Sequence, residues 1–141
     1  MIQRIQTVWF LLAAICAGLS TRLSFYTGNK DDIASADLKV FQSLNSGNNT
    51  VLSAVVGFIV AACLIGIFTY KNRKKQLQIA LLTAIVAIIN IILYIYKTKS
   101  FIEGQYSITS SITFLIPLFL LLAARGIWKD EQLVKSADRL R

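Results

Sequence analysis

Four apolar runs, separated by short polar and charged stretches, organise this chain. The first lies at about 5–23, between Arg4 and Arg22, and the second at 51–70 is "VLSAVVGFIVAACLIGIFTY". The third, at about 78–96, carries "IALLTAIVAIINIILYIY", and the fourth, at about 107–125, is "SITSSITFLIPLFLLLAA" closed by Arg125. An α-helix rises 1.5 Å per residue, so roughly 20 residues cross a hydrocarbon core of about 30 Å. The last three runs meet that length. The strictly apolar part of the first, "VWFLLAAICAGL", is nearer the length of a signal peptide. Uncharged Thr7, Ser20 and Thr21 lengthen it, and Arg4 and Arg22 can snorkel outward. It reads as a retained helix, with a cleaved signal as the alternative.

Between the runs the pattern predicts an outer loop at 24–50, a basic loop at 71–77 and a tail at 126–141. In the outer loop "YTGNKDD" and "LNSGNNT" read as turns. "IASADLKVFQSL" between them reads as an amphipathic helix or a strand pair. The helical spacing of Ile33, Val40 and Leu44 is the better match. Gly126 marks a loosening after the fourth span. A short amphipathic helix follows it, with Ile127, Leu133, Val134, Ala137 and Leu140 on one side. The fold class expected is an all-α membrane protein, an antiparallel bundle of four transmembrane helices in a single domain. Spans one and two are expected to meet through small residues four apart, Ala13/Ala17 and Ala14/Gly18 against Ser53/Gly57/Ala61 and Ala62/Gly66.

Charge sets the direction. Arg4, Lys71, Arg73, Lys74, Lys75, Arg125, Lys129, Lys135, Arg139 and Arg141 fall on one side, against Arg22, Lys30, Lys39, Lys97 and Lys99 on the other. Short cytoplasmic loops are the ones rich in Lys and Arg. Both termini should therefore lie in the cytoplasm. Trp9, Tyr70 and Trp128 mark the inner boundary, and Tyr26, Tyr94, Tyr96 and Tyr106 the outer one. The net charge of +8 belongs to this flanking pattern. It does not form the basic face of a soluble nucleic-acid binder, so no nucleic acid is expected among the partners.

Candidate chemistry is sparse. No ionisable side chain lies deep in a run, although ion-coupled pumps usually need one there. The chain has no histidine, which removes His-ligated haem and the usual catalytic zinc sets. No phosphate loop and no nucleophile–histidine pair can be assembled. An enzyme is therefore not expected, and no cofactor is implied. Cys16 and Cys63 read as small packing residues. Asn90 is the most polar residue deep in a run and should face another helix, as an interhelical hydrogen bond or a substrate contact. Pro117 frees the carbonyl of Thr113, which predicts a kink in span four.

The expected contact surface is cytoplasmic. It comprises Lys71, Arg73, Lys74 and Lys75 of the basic loop, with Arg125, Lys129, Asp130, Glu131, Lys135, Asp138 and Arg139 of the tail. Anionic lipid would hold a purely basic tail, but Asp130, Glu131 and Asp138 blunt that attraction. A protein contact fits the mixed charge better, within the bundle, with a membrane-protein partner or with a second copy. The leading functional reading is a structural or accessory subunit in the bilayer. The alternative is a small transport or channel-type protein with a polar path near Asn90, Thr83 and Thr113.

The opening "MIQRIQTVWFLLAAI", the closing "RGIWKDEQLVKSADRLR" and the basic entry "RKKQLQIAL" resemble the signatures of a small bacterial membrane-protein family, domain of unknown function 4293. The resemblance runs the length of the chain. It implies four transmembrane helices, a bacterial cytoplasmic membrane and a retained first span. It carries no activity, substrate or catalytic residue.

Overall fold

The computed structural model describes residues 3–31, 39–70, 72–101 and 103–139. Four helices carry the chain: α1 (Gln3–Leu19), α2 (Thr50–Phe68), α3 (Arg73–Thr98) and α4 (Ser110–Arg139). Three strands join them: β1 (Tyr26–Asp31), β2 (Lys39–Leu44) and β3 (Glu103–Tyr106). Of the helices, α2, α3 and α4 are long and apolar enough to cross a membrane. The apolar part of α1, Ile5–Leu19, is shorter.

The helices pack in a ring. α1 and α3 each pack against α2 and α4. The buried faces are built mainly from small and medium residues: Ala13 and Ala17 of α1, Cys63 of α2, Ala80, Ala84 and Ala87 of α3, and Ala123 of α4. Larger side chains fill the gaps between them, with Phe10, Ile59, Ile116, Leu120 and Ile127 fully enclosed. The big aliphatics point outward instead, including Leu81, Leu82, Ile85, Ile88, Ile89 and Ile92 of α3. α1 has the same outward stripe in Ile5, Val8, Leu11, Ile15 and Leu19. This distribution suits a hydrocarbon solvent, in which helix association depends on close backbone approach rather than on hiding apolar surface.

The meeting of α1 and α2 uses only part of the small-residue pattern. Ala13 and Ala17 are buried there, and Gly66 lies against Phe10. Ser53, Gly57 and Ala61 are exposed on the outer side of α2, and Gly18 is also exposed. The working face of α2 is instead Leu52, Val56, Ile59, Cys63 and Gly66, where residues of full size find partners.

The outer segment keeps the turn expected at "LNSGNNT" but differs from the helix and the first turn expected of it. "YTGNKD" is β1 and "KVFQSL" is β2, and 32–38 lie outside the described residues. β1 is the central strand of a three-stranded antiparallel sheet ordered β2-β1-β3. Its second partner comes from the connection between α3 and α4, so a pairing distant in sequence overrides the local turn signal. Gly28 stands opposite Gly104 in the register. A Cβ on Gly28 would fall 2.8 Å from the Gly104 Cα, so the approach of these two strands depends on both glycines.

Under the sheet sits a second small core of Phe25, Leu44, Leu52 and Tyr94. The rings of Phe25 and Tyr94 stack with centroids 4.4 Å apart. Tyr94, expected at the outer interface, is fully buried. Ser46 Oγ donates to the Ser20 carbonyl at 3.0 Å, and the Ser107 N–H donates to the Phe25 carbonyl at 3.2 Å. These bonds tie both outer connections to the segment between α1 and β1.

The tail also departs from expectation. Gly126 does not break α4, which runs unbroken for 30 residues, about 45 Å at 1.5 Å per residue. Span four and the charged tail are therefore one helix.

Candidate functional site

At the end of the bundle away from the sheet, three polar residues occupy positions where apolar side chains would be expected. Gln6 continues the buried stripe Phe10–Ala13–Ala17 of α1, and Gln76 continues that of Ala80, Ala84 and Ala87 in α3. Asp130 follows Ile116, Leu120, Ala123 and Ile127 down the inner face of α4 and is only 6% exposed. Helical periodicity carries each of them into the interior. Once there, each must find a partner, because an unpaired polar group away from water is costly.

The partners lie on neighbouring helices. Gln6 Nε2 donates to an Asp130 carboxylate oxygen, joining α1 to α4. Gln76 Nε2 donates to the Gly66 carbonyl at 3.0 Å, joining α3 to α2. Arg73 Nη1 donates to the Asp130 backbone carbonyl at 3.2 Å, joining α3 to α4. The start of α1, the end of α2, the start of α3 and the last third of α4 thus share one end. The arrangement is a clasp that fixes how the helices meet, and its polar groups are already engaged.

The residues singled out in the sequence divide between this clasp and the surface. Arg73 and Asp130 come together, though through the Asp130 main chain rather than its carboxylate. Asp130, expected on a contact surface, faces inward because it falls on the apolar stripe of α4. Lys74, Lys75, Arg125 and Lys129 are exposed around the clasp, with Trp128 beside them, and Glu131 is half-buried. Lys71 lies outside the described residues, as do the side chains of Lys135, Asp138 and Arg139. Past Asp130, α4 continues to Arg139, and Leu133 and Val134 are 49% and 44% exposed there.

Asn90 lies in the core, fully buried, and neither its amide nitrogen nor its oxygen has a hydrogen-bond partner among the described residues. The interhelical bond expected of it is not made. One turn on, the Tyr94 hydroxyl is also without a bond of ordinary geometry, although Ser46 and Ser20 are its neighbours. Thr83 turns back on its own helix, donating to the Ile79 carbonyl at 2.7 Å. Thr113 is buried, and Pro117 sits inside α4 without ending it. Asn90, Thr83 and Tyr94 share the inner face of α3, but these hydrogen bonds do not link them.

Gln6 and Gln76 escaped the sequence reading. The signal was present. Gln6 stands four residues before Phe10 and Gln76 four before Ala80, each on what becomes the buried face, at the point where the apolar run gives out.

Long apolar helices in a ring with an outward aliphatic sheath define a helical protein of membrane-spanning type. The chain belongs to the family described as Domain of unknown function (DUF4293), whose profile matches residues 2–140. A search of curated proteins finds no match.

Proposed function

We propose that this is a multi-pass membrane protein of the bacterial inner membrane. In this reading all four helices cross the bilayer, both termini are cytoplasmic, and the chain works as a non-catalytic structural or accessory subunit. The fourth crossing is supported by the outward stripe of α1, which matches the sheath on the longer helices. The observation that carries the functional reading is the projection of α4. Nine residues run past the clasp, about 13 Å of helix, with Leu133 and Val134 uncovered among charges. A helix held at its base, with exposed apolar side chains one turn beyond it, suits a protein contact. The exposed Lys74, Lys75, Arg125 and Lys129 frame it.

The test is a mild-detergent purification of the full chain beside a chain ending at Gln132, which keeps Asp130 and the clasp. The full chain should bring down a stoichiometric membrane-protein partner that the shortened chain loses. Equal recovery of folded, solitary protein from both would end the accessory reading.

A second reading, a small transport or channel-type protein, is favoured by the unpaired amide of Asn90 in the core. Its polar path would run past Thr83 and Thr113. Asn90→Leu separates the two. Removing both halves of an unmet polar group in favour of an apolar one of similar size is neutral or stabilising by about 1 kcal/mol. The accessory reading therefore expects an unchanged or higher melting temperature and intact partner binding. Altered solute flux in liposomes would support transport instead.

A further inference from the structure

Among the described residues, three recesses stand out on the surface. The one between β1 and β3 is a shallow face of strand backbone around Gly28 and Gly104. The crevice between α2 and α3, at Phe58, Ala61 and Leu82, is wholly apolar, and nothing in the structure shows what covers it. The third lies where β2, the start of α2 and the end of α3 converge, and its chemistry is specific.

This pocket has a volume of about 400 Å³, within the range of small-ligand sites. Leu44 and Phe101 form its apolar part, and Lys97, Asn48, Asn49 and Ser100 its polar part. Among the described residues no carboxylate lines it. Lys97 Nζ donates to Asn49 Oδ1 at 2.8 Å, which holds the ammonium at the wall and leaves two of its three donors free of that bond. The same bond occupies the oxygen that would otherwise cap α2, and α2 begins without a side-chain cap. The positive end of the α2 dipole therefore adds to the lysine charge.

We propose that this pocket binds a phosphate group. Ser100 Oγ donates to the Lys97 carbonyl at 2.8 Å and Asn48 Nδ2 to the Ser43 carbonyl at 3.5 Å, so the remaining donors are those of Lys97 at the end of α3 and of the Asn49 side-chain amide in the turn before α2, on two sides of the pocket. That suits a tetrahedral oxyanion better than a planar carboxylate, which is matched best by the fork of an arginine. Lys97 lies in the last turn of α3, at the level of the outer headgroups if α3 spans the bilayer. The phosphate can thus come from an anionic lipid or from a soluble phosphomonoester. The inference rests on the membrane reading only for the lipid source, and not at all on a partner for α4.

The test uses full-length protein with two probes. Retention of phosphatidylglycerol over phosphatidylcholine is measured by native mass spectrometry after release from nanodiscs, and binding of glycerol phosphate in detergent by calorimetry. Lys97→Gln should weaken binding of the active probe by about tenfold or more, the weight of one charge-assisted hydrogen bond. Lys97→Arg should largely preserve it. Ser100→Phe should block the pocket from an exposed position, which keeps the test valid if Lys97→Gln does not fold. Lys99→Gln, exposed and outside the lining, should bind as wild type. Binding of phosphatidylglycerol alone assigns the lipid source, and binding of glycerol phosphate alone the soluble one. Failure of both probes, or wild-type binding by both Lys97→Gln and Ser100→Phe, would overturn the proposal.

Discussion

Gly66→Leu is expected to lower the stability of the bundle by about 1–3 kcal/mol, the usual cost of overpacking a closed core. A Cβ at this position would already lie 2.8 Å from Phe10 Cε1 and 3.0 Å from Cζ. The Phe10 ring is fully buried in the main core, so it has little room to retreat. The Gly66 carbonyl also accepts the Gln76 bond, so pushing α2 away from α1 strains its contact with α3 as well. Gly66→Ala should be far milder. Its added methyl meets the same ring, but alanine gains about 1 kcal/mol of helix propensity over glycine. Thermal unfolding in one detergent would rank the three proteins as wild type close to alanine, with leucine clearly lowest. Phe10→Ala should restore part of the loss in the leucine variant by giving the new side chain space. Equal melting temperatures for leucine and wild type would mean that α1 and α2 are not in contact at this point.

Asp130→Leu should cost a comparable amount, about 1.5–3 kcal/mol, the range for a hydrogen bond to a charged group. The substitution removes the acceptor and leaves the Gln6 amide buried without one. Gln6→Leu alone should also destabilise, because it strands a buried carboxylate. The combined Gln6→Leu/Asp130→Leu protein should recover most of the loss, since two apolar groups can replace a buried polar pair at little net cost. A double-mutant cycle by thermal unfolding measures this coupling directly. Additive losses, with no recovery in the combined variant, would show that the clasp does not operate as a pair.

The helices were legible in the sequence because long apolar runs between charges leave few alternatives. Which face of each helix turns inward was harder to read. In α3 the large aliphatics Leu82, Ile85, Ile89 and Ile92 face out while Ala80, Ala84, Ala87 and Asn90 face in. That is the reverse of a water-soluble helix, and small residues mark the seam. In α2 the same rule pointed to Ser53, Gly57 and Ala61, which are exposed, because small residues permit close approach without requiring it. The sheet could not be found locally. β2 is six residues long, and Val40 and Leu44 fall on one side in either a helix or a strand, so periodicity could not choose. β1 acquires its second partner from β3, beyond two whole helices in the sequence. Of the candidate site, the exposed basic residues were legible from charge alone. The burial of Asp130 was not, because the tail was divided from span four at Gly126, and the unbroken α4 carries the apolar stripe straight through that point.

The central claim is that four helices cross the bilayer and leave both ends of the chain on one side. Single cysteines placed by Gln3→Cys, Gln42→Cys, Gln105→Cys and Gln132→Cys, labelled with a membrane-impermeant maleimide, test it most directly. Native Cys16 and Cys63 lie within α1 and α2, where the reactive thiolate is disfavoured, and the unaltered protein gives the background. In intact bacterial cells positions 42 and 105 should label, and positions 3 and 132 should label only after permeabilisation. Labelling of position 3 together with 42 and 105 in intact cells would contradict the account, because α1 would then not cross.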